Sequence, residues 1–552
     1  MRRNWTRAGG SKTYLAPVFL AVFFAAALSY SYGREAGAAS GHEGLRFTLA
    51  MYQGGGDAPA REQESQPGRG ESARKPASLK KHRGRAAIEF SSFMMVSQVD
   101  YWRKYSKFIE DWQYRLTWKD QKRRFFTTEA LRFDSNDFKL NWSHSMAGAV
   151  YYECARTNNL SWLESWAVSM FGALWWEYVA EWREVISLND LVFTGVGGFP
   201  IGEAWYQFSR VLAGSASPVL RGLSFINPLL KLNRWLDRKK VAKDAYVVTD
   251  WHEFSLSAGG CSVRKAAGAE FQTYYQLKAE VVNVPEYGRS ADLTRTIKDV
   301  YSSSMTIDLA MDEGHAQETN LLFEARPWGR FTQSVDEFGR GHALFIGLGS
   351  ALSYFKKRPV ELYDFSLVKV GEIEKLHLEL PRNFRDKLSV VHAAGPVLDW
   401  TLFGRGFRLR SVLEAYLDFS LVNAFALNEY SRDHDISGVK TTLLYYGYYY
   451  GFGVTVSARS ELVWRGLRLS GSASYGRWDS FDGRDRFQAD ISDDCDLDDS
   501  RTKLQAAAAW RIPSSPVELF LTHEVLRRWG RIKEVEVKGA EYRTFVGLRY
   551  VF

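Results

Sequence analysis

A chain of 552 residues is long enough for two or three domains, and 15% aromatic residues is high for a protein surrounded by water on all sides. Its formal charge of +8 comes from Lys and Arg spread along the chain without a nucleic-acid-binding motif. This argues against a nucleic-acid partner and suits outer-membrane lipids or the phosphates of lipopolysaccharide. Cys154, Cys261 and Cys495 lie in unrelated segments with no metal-ligand spacing, so no disulfide framework, metal or cofactor is expected.

At the N-terminus, Arg2, Arg3, Arg7 and Lys12 precede an apolar run over 15–28 and then small residues, so residues 1–40 read as a secretory signal peptide. Residues 41–85 are mostly Gly, Pro, Ser and charged groups from Gln53 on. They cannot bury enough apolar surface to offset the entropy of ordering, and a disordered linker is predicted. Residues 86–250 carry the strong helical periodicity, with Leu163, Trp166, Ala167, Met170, Phe171, Leu174 and Tyr178 spaced by threes and fours. Glu164, Glu177 and Glu181 interrupt the most apolar stretch, 160–182, so it is expected to pack against protein or lie at an interface rather than cross a bilayer alone.

From Trp251 to Phe552 the period falls to two, in segments of about ten residues. Tyr542, Val546, Leu548 and Tyr550 share one face, with Glu541, Arg543, Gly547 and Arg549 on the other. Leu467, Leu469, Ala473 and Tyr475 oppose Arg468, Ser470, Ser472 and Ser474 in the same way, and Leu504, Ala506, Ala508 and Trp510 oppose Lys503, Gln505 and Arg511. Short turns at 464–466 and 513–516 alternate with longer predicted connections at 478–500 and 528–539, the pattern of short periplasmic turns and long external loops. The fold class is therefore α+β, a helical domain followed by a transmembrane antiparallel β-barrel of about twelve strands. A soluble β-sandwich is the alternative that alternation alone would also satisfy.

Within the helical part, Asn141, His144, Gly148, Tyr151, Tyr152 and Arg156 lead into Glu164, Glu177, Glu181, Asn189 and Asp190. Gly197, Gly198, Gly202 and Glu203 follow, with Asn227-Pro228 and Asn233-Arg234 further on. This run resembles the bacterial family catalogued as domain of unknown function 3943, whose members are similar in having a helical signature region before β-barrel sequence. Ser145 stands where the family pattern has a proline. The resemblance implies location and architecture, and carries no activity with it.

Glu177, Glu181 and Glu184 fall at spacings of four and three, so a continuous helix would align them as one carboxylate stripe. With His144 and Asp190 alongside, that stripe has the chemistry of a general base or a cation site; the structural reading is that these groups bind arginines and backbone and fix the helices. Ser143 and Ser145 flank His144 without a nucleophile-elbow motif, and the acidic run Asp493, Asp494, Asp496, Asp498 and Asp499 lacks the glycine and terminal Glu of a calcium loop. These features predict a cell-outer-membrane protein with a structural, gating or passive-transport role, its helices plugging the barrel lumen or capping the periplasmic mouth. A membrane-embedded hydrolase of lipid A or phospholipid is the alternative.

Overall fold

The computed structural model describes residues 79–105, 113–134, 138–215, 218–237, 251–265, 268–313, 315–357, 386–436 and 438–552. The predicted signal peptide, nearly all of the predicted linker and the segment 358–385 lie outside them.

The helical part comprises α1 (Arg83–Tyr105), α2 (Trp118–Phe126), α3 (Phe138–Arg156), α4 (Trp162–Trp175), α5 (Leu188–Gly195), α6 (Gly198–Gly214), α7 (Pro218–Leu223) and α8 (Pro228–Asp237), with β1 (Leu131–Arg132) paired in parallel to β2 (Ile186–Ser187). Local chemistry sets the boundaries. Ser161 caps α4 in a reciprocal arrangement with Glu164, and Ser187 caps α5 by accepting from the Asp190 amide. Between α4 and β2 the chain widens into a single π-turn, Trp176–Ala180, so the aligned stripe expected of a regular helix is broken at Glu177.

The barrel strands are β3 (Trp251–Lys265), β4 (Gly268–Val282), β5 (Ala291–Ile297), β6 (Ser302–Asp312), β7 (His315–Val335), β8 (Gly341–Lys357), β9 (Asp386–Gly404), β10 (Phe407–Asn423), β11 (Tyr448–Trp464), β12 (Leu467–Ser480), β13 (Leu497–Arg511), β14 (Val517–Ile532) and β15 (Val535–Val551). All pairings are antiparallel. β15 pairs with β3 and β7 with β8, closing a barrel of twelve strands, while β5 and β6 lie end to end along the same edge of β7. The alternation read from the sequence is the observed one: Lys503, Gln505, Arg543 and Arg549 line the lumen, whereas Leu504, Trp510, Val546 and Leu548 point outward. The connection expected at 528–539 differs. The strands run on to Ile532 and resume at Val535, leaving a two-residue turn with Lys533 at φ 50.

The lumen is crossed by ion pairs. Arg410 of β10 reaches Glu280 of β4 at 2.7 Å, Arg459 of β11 reaches Glu324 of β7 at 2.8 Å, Arg468 of β12 reaches Glu253 of β3 at 3.0 Å, and Lys357 of β8 reaches Glu541 of β15 at 2.7 Å. None of these strand pairs is adjacent, so the ion pairs bridge opposite walls. At the rim where β15 ends, Tyr287 and Tyr301 from the β4–β6 connection pack among inward-facing Phe331, Phe345, Val397 and Val412; Tyr301 stacks on Phe345 at 4.1 Å. At the opposite rim the β10–β11 connection, with helices α9 (Leu427–Asp433) and α10 (Thr441–Tyr446), buries Leu427, Tyr430 and Leu443 against Val390, Tyr449 and Trp478. Between the two clusters lies a cavity of about 470 Å³ lined by Ser, Thr, Gln and charged groups.

The helices were expected to plug the lumen or cap the periplasmic mouth, and their contacts are different. Phe208 packs on Phe254 (5.1 Å between ring centroids), Phe193 on Phe419 (5.8 Å), Trp142 on Tyr354 (5.4 Å) and Phe133 on Tyr450 (5.3 Å). Phe254, Phe419, Tyr354 and Tyr450 alternate with the lumen-lining positions of their strands and so lie on the barrel's outer face. The physical reason is complementarity. The inner face of the helical layer carries Phe193, Ile201 and Phe208, and the lumen offers mostly charged and hydroxyl groups, whereas the outer wall offers apolar ones.

Candidate functional site

The residues singled out from the sequence converge at the seam between helical layer and barrel. His144 on α3 approaches Asp190, in the first turn of α5, at 3.3 Å between Nε2 and Oδ1. The Asn189 side chain donates to Asp190 (2.9 Å) and to Asn141 (3.4 Å), and Asn141 in turn donates to the Tyr450 hydroxyl on the barrel's outer face (3.0 Å). The Asp134 amide donates to Asn189 Oδ1 at 2.8 Å, which ties in the end of β1.

The carboxylates are placed around this centre by the π-turn. Glu177, buried, accepts from the Ser187 amide at 2.8 Å, and Glu181 accepts from the Trp176 indole at 2.8 Å. Glu184 accepts from the Tyr101 hydroxyl and lies 3.5 Å from Arg486, which also holds Asp134 at 2.7 Å. Arg124, fully buried, donates to the carbonyls of Glu177, Tyr178, Glu181 and Glu184, clamping the turn through its backbone. Burial, then repulsion from Glu181 and Asp190, pushes the Glu177 carboxyl well above the usual range; burial, then repulsion from Glu184 and Asp190, does the same at Glu181.

A carboxyl whose pKa is raised on folding favours the folded state most at low pH, and that advantage is lost as pH climbs from about 4.5 towards the folded value. The helical layer is therefore expected to melt at progressively lower temperature as the pH is raised above about 4.5. Glu177→Gln keeps the acceptor for Ser187 and should flatten the dependence. Circular dichroism at 222 nm across that range checks it, and an unchanged slope in the variant would rule out Glu177 as the source.

The remaining motif residues form a second buried network. Glu203 accepts from Tyr152, from Arg156 Nε at 2.9 Å and from Gln207, and Arg156 continues to Asp299 in the β5–β6 break at 2.8 Å. Gly148 and Gly198 bring α3 and α6 into backbone contact, Gly197 opens α6, and a Cβ on Gly202 would lie 2.7 Å from the Tyr152 ring. Ser145 is turned to the Asn141 carbonyl (3.3 Å), and Ser143, His144 and Ser145 are consecutive on a helix, about 100° apart, so neither serine is presented to the imidazole by helix geometry. The acidic run is met by cations: Asp493 by Lys533, Asp494 by Lys440, Asp496 and Asp498 by Arg531. Among the described residues no group of His, Cys, Asp and Glu is arranged to hold a metal ion.

Sequence spacing pointed to His144, Asp190 and the Glu trio. It missed Asp134, Arg124, Tyr450 and Arg486, because Tyr450 is 309 positions from Asn141 and nothing in spacing reports a contact of that range.

These features define a closed, twelve-stranded antiparallel barrel of the outer-membrane class with a helical layer bonded to its outer wall. Residues 130–228, in the helical part, match the family model described as Domain of unknown function (DUF3943). No curated protein matches the sequence. Among solved structures, the chain is similar to OmpT, an outer membrane protein of Vibrio cholerae (5% identity, TM-score 0.20, 55% of this chain and 97% of that one). It is also similar to the translocator domain of autotransporter NalP from Neisseria meningitidis (9%, 0.18, 55% and 88%) and the beta domain of the Bordetella autotransporter BrkA (10%, 0.17, 55% and 99%). At these scores the likeness carries no argument, and the barrel rests on its own strand pairing.

Proposed function

We propose that the protein is an integral outer-membrane barrel with a structural, non-conducting role: a wall on which the DUF3943 helical layer is mounted. The observation that carries this reading is the lumen, bridged wall to wall by ion pairs and narrowed by buried side-chain clusters at both rims. Outward apolar side chains such as Leu413, Leu417, Leu521 and Val546 supply the lipid-facing belt, and the basic residues at the rims meet anionic headgroups or lipopolysaccharide phosphates. The buried polar centre around His144 and Asp190 holds the layer to the wall through Asn141 and Tyr450, a positioning role that needs no nucleophile.

The test is conductance. Purified protein in planar bilayers is expected to give no stable single-channel steps, and because the helices do not enter the lumen, digesting them with protease should leave the trace silent. Reproducible steps of fixed size from the intact protein would overturn the non-conducting reading in favour of passive transport.

A further inference from the structure

The geometry points to a lipid-contacting role for the outer surface of α1 and α4: acyl chains of the membrane cover it, so that part of the protein's lipid-facing belt is made of helix rather than strand. This rests on the outer-membrane reading above.

From 86 to 99 the exposed positions of α1 are Ala87, Ile88, Ser91, Ser92, Phe93, Met95, Val96 and Val99, and none is charged. Those of α4 and the π-turn, Leu163, Ala167, Phe171, Leu174, Trp175 and Val179, carry no charge either. The two helices lie side by side and parallel, with Phe90 packed on Phe171 at 5.8 Å and Tyr101 on Trp176 at 5.5 Å, so their apolar faces merge into one. A contiguous apolar surface of this kind is uncommon where water is the neighbour.

Two features identify lipid as the occupant. The first is length and ends. The stretch of α1 whose exposed positions are uncharged, 86–99, spans about 21 Å at about 1.5 Å per residue, close to the apolar band of about 25 Å on outer-membrane barrels; its one carboxylate, Glu89, is turned inward to Asn158 and Asn233. It is bounded by Lys81, Arg83 and Glu164 at one end, where Lys81 and Arg83 both pair with Glu164, and by Asp100, Arg103 and Trp102 at the other. The second is continuity with the wall. At the charged N-terminal end the Trp162 indole donates to the Lys298 carbonyl, in the connection at the rim where β15 ends; at the far end Glu184 meets Arg486, in the β12–β13 connection at the opposite rim. The pair thus runs from rim to rim beside outward-facing strand residues that are themselves apolar. Among the described residues no helix is long and apolar enough to cross a membrane by itself. Here the inner faces of α1 and α4 are turned to protein, and the outer faces alone need lipid.

The experiment uses the full-length protein in phosphatidylcholine vesicles, with a nitroxide attached in turn through Val96→Cys on α1, Phe171→Cys on α4, Val546→Cys on the bare wall and Glu337→Cys in the β7–β8 turn. The three native cysteines are buried, and the labelled parent sets the background. Collision with oxygen, which concentrates in acyl chains, is compared with collision with a polar nickel chelate. The expected result is that positions 96 and 171 prefer oxygen as position 546 does, while 337 prefers the chelate. Should 96 and 171 follow 337 while 546 keeps its oxygen preference, the inference fails and the outer-membrane reading stands. If 546 also prefers the chelate, the reading beneath it fails. Exclusion of both reagents at 96 and 171, with line broadening that disappears on dilution with unlabelled protein, would show a second copy on this surface and overturn the inference.

Discussion

Arg326→Met is expected to cost the barrel about 3–5 kcal/mol, the usual consequence of removing one partner from a buried charge network while leaving the others in place. Arg326 is 1% exposed; it donates to Glu414 at 2.9 Å and to Ser302 at 2.8 Å, and lies 3.8 Å from Asp399. Methionine fills much of the volume but leaves Glu414 with the Ser457 hydroxyl at 3.3 Å and the more distant Arg459, 3.6 Å away, so a carboxylate at 4% exposure loses its nearest counter-charge. The damage is electrostatic, and adding Glu414→Gln should recover most of it, because a neutral amide needs no cation. The urea midpoint for loss of heat-modifiable gel migration, measured for parent, both single variants and the double variant, gives the coupling energy directly. A double variant no more stable than Arg326→Met would mean that packing, not charge, dominates at this level of the lumen.

Parts of the architecture are legible in sequence because each strand displays two chemically distinct faces. Tyr542, Val546 and Leu548 set against Arg543 and Arg549, or Leu504 and Trp510 set against Lys503 and Gln505, announce a wall with apolar and polar sides, and those sides are the ones observed. What alternation does not encode is where a separate amphipathic layer will dock. Phe193, Ile201 and Phe208 declare an apolar face, but a lumen plug, a cap and an outer-wall covering all require one. The choice follows from the chemistry of the lumen, which becomes clear only when Glu280, Glu324 and Glu253 are seen to meet Arg410, Arg459 and Arg468 across it. The turn at Lys533-Glu534 was hidden for a related reason: Arg527, Arg528, Arg531, Gly530 and Gly539 look like a solvated loop, yet two-residue pairing continues through them to Ile532 opposite Val535. At the seam, His144, Asp190 and Glu177 were visible as chemistry-bearing residues within one short stretch. Their barrel partners Tyr450 and Arg486 were not, since only tertiary folding brings them near, and the π-turn that separates Glu177 from Glu181 has no signature in spacing.

A second large effect is expected at Gly148, where α3 meets α5 and α6 backbone to backbone. A Cβ at this position would lie 1.8 Å from the Thr194 carbonyl oxygen and 3.2 Å from the Gly198 Cα, and one on Gly198 would lie 2.5 Å from the Gly148 carbonyl carbon. Each of these obstacles is main chain, so no side chain can rotate away and the helices themselves must separate. Gly148→Val should therefore exceed the about 1–3 kcal/mol typical of overpacking, since moving α3 also strains the chain from His144 and Asn141 through Asn189 to Tyr450. The barrel's own pairing does not involve Gly148, so the expected phenotype is split: heat-modifiable migration is retained while the helical layer becomes sensitive to protease. Gly222→Val, at a helical site where an added Cβ meets nothing within 4 Å, is the matched control and should resemble the parent in both assays. If Gly148→Val instead abolished heat-modifiable migration, the helical layer and the barrel would be a single cooperative unit, with the outer-wall contacts of Phe193 and Phe208 contributing to barrel stability; if it left protease resistance intact, close approach at this glycine would not be what holds the layer together.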